Sequence, residues 1–84
     1  MDPMTKPRDV VALAQARTLA RSGRAKAIRE RAGITRDEVA RCIGVSAVTI
    51  WRWEHARRVP RGEPAIAWLS LLTELEGLER PATA

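Results

Sequence analysis

Five side chains that carry or can take a positive charge, Arg52, His55, Arg57, Arg58 and Arg61, fall within one short stretch. A guanidinium is planar, permanently charged and presents a rigid fork of donors. It matches the oxygens of a phosphate group, or the O6 and N7 acceptors of guanine. Thirteen of the 15 basic residues are arginine, so this chemistry dominates the chain's positive charge. The charge is also unevenly spread: residues 1–63 hold 14 Lys/Arg against 7 Asp/Glu, whereas residues 64–84 hold Arg80 against Glu74, Glu76 and Glu79. Charge by itself is explained equally well by a solvated surface and by an anionic partner.

The remaining reactive residue types do not build a second chemistry. His55 and Cys42 each occur once, and helical phasing puts them on different faces of different helices. Metal centres need clusters at ligand spacing, and phosphate loops need clustered glycines; neither pattern occurs. The expectation is no enzyme, no cofactor and no metal. A single cysteine rules out an intramolecular disulfide and fits a reducing cytoplasm. No apolar run approaches the roughly 18 residues of a membrane span, so no membrane partner is expected.

The segment that must position these cations is 35–55, TRDEVARCIGVSAVTIWRWEH. Thr35 followed three residues later by Glu38 is a capping-box signature for a helix start. Val39, Ala40 and Ile43 then give an apolar helical face. Gly44 suits a sharp turn at positive φ, and Val45 follows as a buried plug. Ser46 caps a second helix with Ile50 and Trp53 inward. Two such helices around a glycine turn form a helix-turn-helix, whose second helix is the kind that enters a DNA major groove.

The flanks read as further helices. Residues 7–21 form an amphipathic helix with Pro7 in its first turn and Val10, Leu13, Ala14 and Ala20 as its stripe. Ser22 is placed to cap a helix over about 23–32, with Ala25, Ile28 and Ala32 inward. ARRVPRG, residues 56–62, is a basic loop. A last helix over about 63–76 buries Ala65, Trp68, Leu69, Leu72 and Leu75, and stops at Gly77. The organisation is all-α: 1–6 a disordered start or expression remnant, 7–76 one domain, and 77–84 a flexible tail.

Residues 23–76 resemble the Cro and phage-repressor (XRE) type of helix-turn-helix domain through IRERAGITRDEVARCIGVS and TIWRWEHARRVPRG. Ala40 stands where that family needs a small residue at the helix crossing, and Gly44 at its turn. The resemblance implies a five-helix bundle of lambda-repressor-like type, here with an extra N-terminal helix and no C-terminal fifth helix. It implies a structural ion pair between Arg29 and Glu54. It turns Ala47, Val48, Trp51 and Arg52 toward base edges of double-stranded DNA, and the first-turn Thr49 can reach a base or a phosphate. Arg52 is the leading candidate for guanine, with a phosphate contact as the alternative. Trp51 lies either along sugar and thymine methyl groups or against a neighbouring helix.

Arg36, Ser46, His55, Arg57, Arg58 and Arg61 are the candidates for DNA backbone contacts. The resemblance lets Arg61, just after Pro60, approach the minor groove. The function so implied is a sequence-specific, cytoplasmic transcriptional regulator, a phage Cro-like protein or small repressor, acting as a monomer or a homodimer. Two other roles suit the same fold: an antitoxin-type protein-binding module and an excisionase-like architectural DNA binder.

Overall fold

The computed structural model describes residues 6–79. These described residues form five helices: α1 (Pro7–Ser22), α2 (Arg24–Arg31), α3 (Arg36–Ile43), α4 (Ala47–Glu54) and α5 (Gly62–Glu79). No strand occurs among the described residues. None of the described helices is long and apolar enough to cross a membrane. The expectations for residues 1–5 and 80–84 lie outside the described residues.

Local chemistry accounts for the boundaries. Pro7 stands in the first turn of α1, where its missing N–H would be unpaired anyway. At α3 the capping box is complete: Thr35 Oγ1 accepts from Glu38 N–H at 3.1 Å, and the Glu38 carboxylate accepts from Thr35 N–H at 3.0 Å. Gly44 closes α3 with φ 80, its N–H donating to the Ala40 carbonyl at 2.9 Å. A Cβ added at Gly44 would meet nothing within 4 Å. The requirement for glycine there is the left-handed backbone alone.

Glu38 has its pKa lowered, first by the Thr35 backbone N–H and then by the Thr35 hydroxyl. Its folded value lies below its unfolded one, so its contribution is present above the unfolded value. It is lost as pH falls through the folded value. Thr35→Ala is expected to lose about 1 kcal/mol of stability through the cap. It should also flatten the acid limb of the stability–pH curve. Thermal melts of both proteins from neutral pH into acid check this, and parallel curves would refute the coupling.

The core joins all five helices. Ala16, Leu19 and Ala20 of α1, Ala25 and Ile28 of α2, Val39 and Ala40 of α3, Ile50 and Trp53 of α4, and Ala65, Trp68 and Leu72 of α5 are buried. Leu13, Ile43, Val45, Leu69 and Leu75 pack half-buried around them. Trp53 and Trp68 meet at the centre as a tilted ring pair with centroids 5.0 Å apart. α1 packs chiefly on α5, and α3 on α4.

Three expectations are corrected. Val10 and Ala14 are exposed rather than inward, because the buried line of α1 runs through Leu13, Ala16 and Ala20. Gly77 does not stop the last helix. α5 runs through it to Glu79, so residues 77–79 are helix rather than tail. The N-cap of α2 is Gly23, at φ 78, and not Ser22, although Ser22 Oγ accepts from Arg24 N–H at 3.3 Å.

Candidate nucleic-acid interface

α4 is fixed from beneath and open above. Ile50 is fully buried, and Trp53 and Glu54 are nearly so, whereas Val48, Trp51 and Arg52 are exposed. The 3.6-residue period puts the first set on one face and the second on the other. Ala47 and Thr49 are half-buried at the margins. Ser46 Oγ accepts from Thr49 N–H at 3.1 Å and lies 3.0 Å from the Thr49 hydroxyl. Both hydroxyls therefore have a partner within the cap.

A charged network sets the height and tilt of this helix. The Arg29 Nε donates to Glu54 Oε2 at 2.5 Å and its Nη2 to Oε1 at 3.1 Å, a bidentate pair. The third arm, Nη1, donates to the Ile34 carbonyl at 2.9 Å. The Glu54 side chain is 1% exposed and that of Arg29 is 8% exposed. Arg36 also donates its Nε to Glu54 Oε1, at 3.0 Å. One carboxylate thus ties α2, α3 and α4 together. The sequence does not signal this use of Arg36, whose place at a helix start suggests only a phosphate contact.

Trp51 is exposed and lies outside the buried core. Its indole stacks on the His55 imidazole one turn along α4, with centroids 4.3 Å apart and planes 21° apart. The His55 Nδ1–H donates to the Trp51 carbonyl at 2.9 Å, which fixes the ring across the end of the helix. The i,i+4 spacing was the available signal for this pair.

Beyond α4 the chain turns back at Ala56, whose φ of 53 is the one positive value at a non-glycine residue among those described. The Ala56 and Arg57 N–H groups donate to the carbonyls of Trp53 and Arg52, at 3.2 and 2.7 Å. These bonds hold an alanine in a conformation that favours glycine. Arg57, Arg58 and Arg61 follow, all exposed. The basic strip thus continues the outer end of α4, and Arg52 is the one arginine within α4 itself.

A family model described as a helix-turn-helix domain matches residues 22–81. The chain belongs to the helix-turn-helix domain family. No curated protein and no solved structure matches it significantly. In this helix-turn-helix chain α3 and α4 are the motif, α2 and α5 support it, and α1 lies almost wholly outside the matched region. Helix-turn-helix domains bind DNA, and they are typically not enzymes. A DNA-binding regulator is the functional class the family indicates.

Proposed function

We propose that this chain is a sequence-specific transcriptional regulator of double-stranded DNA, a small Cro-like repressor of phage type that works by occupying its operator. The observation that carries the reading is the outer face of α4. Val48 and Trp51 are 55% and 41% exposed on a helix whose other face is locked into the core. Apolar side chains on that face suit thymine methyl groups, and Arg52 beside them suits guanine. Ala47 and Thr49 extend the reading surface. Arg36, Ser46, His55, Arg57, Arg58 and Arg61 are its phosphate contacts, with Arg61 directed to the minor groove. The site of action is the host cytoplasm, and sedimentation with an operator-length duplex would count the copies bound.

Two substitutions separate reading from anchoring. Arg52→Ala is expected to weaken binding by about 1–3 kcal/mol and relax preference at one base pair. Equal weakening on every sequence would make it a phosphate contact. Arg58→Ala is expected to lower affinity evenly on all sequences and reduce the salt slope by about 0.9; an unchanged slope would remove it from the interface. The reading as a whole is tested by competition between genomic fragments and scrambled duplex. A specific regulator prefers its site by about 10³–10⁷-fold. Equal affinity everywhere would point instead to an architectural binder, and no DNA affinity to a protein-binding module.

A further inference from the structure

A second basic feature lies beside α4 and draws on α1, almost all of which is outside the family match. Between α1 and the chain that follows α4 is a hollow of about 280 Å³. Four arginines line it, Arg17 and Arg21 from α1 and Arg57 and Arg58 from the returning chain, and no acidic residue does. Ala20, Val59 and Pro60 contribute apolar surface. Arg17 Nε donates to the Pro60 carbonyl at 3.2 Å, joining the two walls. Among the described residues, Arg21, Arg57 and Arg58 have no ion-pair partner.

Like charges gathered around one hollow repel each other, and none of the four arginines has an ion-pair partner among the described residues. An anion seated there would relieve that repulsion. It would also interact with less screening than on an open surface, because apolar groups exclude part of the water. The volume holds several water molecules, each with a liquid share of about 30 Å³, and so has room for a phosphodiester group. Its lining begins at Ala56, directly after His55, so the hollow continues the strip at the end of α4.

We propose that this cleft seats a phosphate of the DNA backbone flanking the groove that α4 occupies, with Arg21 as the α1 cation that meets it. The assignment rests on the DNA-binding reading above. It makes α1 a second anchor on the duplex and widens the footprint beyond the helix-turn-helix.

The test is the salt dependence of duplex binding by the full chain, compared for the unaltered protein, Arg21→Gln and Arg8→Gln. Arg8 is exposed on the same helix and does not line the cleft, so it controls for net charge. Loss of one phosphate contact should reduce the slope of log K against log salt by about 0.9 for Arg21→Gln. Arg8→Gln should leave the slope unchanged. An unchanged slope for Arg21→Gln, with the unaltered chain still binding, overturns the cleft assignment and leaves the DNA reading standing. Equal reductions in both variants reveal a long-range charge effect and also overturn it. An unaltered chain with no affinity for duplex at any salt overturns the DNA reading, and the cleft with it.

Discussion

Replacing Glu54 by alanine is expected to lower the unfolding free energy by about 3–5 kcal/mol. The carboxylate is almost wholly buried and accepts from Arg29 through two bonds and from Arg36 through a third. Without it, the Arg29 guanidinium stays buried with the Ile34 carbonyl as its remaining hydrogen-bond partner. An uncompensated buried cation is far more unfavourable than a missing surface pair. A domain of this size has on the order of 4–12 kcal/mol of stability in total, so much of it would be lost. Arg36→Ala should matter less, about 0–1 kcal/mol, because that side chain is one-third exposed and Arg29 still pairs Glu54. Replacing Arg29 and Glu54 together by methionine and leucine should recover most of the loss. Urea unfolding of the four proteins checks the series. A Glu54→Ala protein within about 1 kcal/mol of the original would show that the pair is not the brace described.

Trp68→Ala carries the second large effect, about 3–5 kcal/mol. Trp68 is 1% exposed, heads the fully buried side chains by volume and meets Trp53 at the centre of the core. Truncation removes its buried area and leaves a cavity where α5 backs the motif. Trp51→Ala removes the same atoms from a 41% exposed position on α4. It should change stability by about 0.5–1.5 kcal/mol, the scale of the lost stack on His55, yet weaken DNA binding. Thermal melts and duplex titrations of both variants separate framework from reading surface. Equal destabilisation by the two would contradict that division.

These contrasts track what the amino-acid sequence made legible. The motif was readable because its signals are local and agree. Thr35 and Glu38 start α3, Gly44 turns the chain, Ser46 starts α4, and Ile50 and Trp53 share a phase. α1 was harder to phase because it is rich in alanine, which adds little apolar contrast. Val10 and Ala14 consequently looked as suitable for burial as Ala16. Gly77 suggests a stop because glycine disfavours a helix interior by about 1 kcal/mol. It does not have positive φ, and α5 is long enough to absorb that cost. The partnership of Arg36 with Glu54, and of Arg17 and Arg21 with the chain after α4, joins residues distant in sequence. No periodicity or spacing reports such meetings.

The proposed function rests on base reading by the outer face of α4. It is tested most directly by selecting bound duplexes from a random pool, in parallel with the original chain and with Arg52→Ala. The original chain should enrich one short motif containing a guanine position, and this position alone should become degenerate with the variant. No enrichment by the original chain, or the same motif from both proteins, would contradict it.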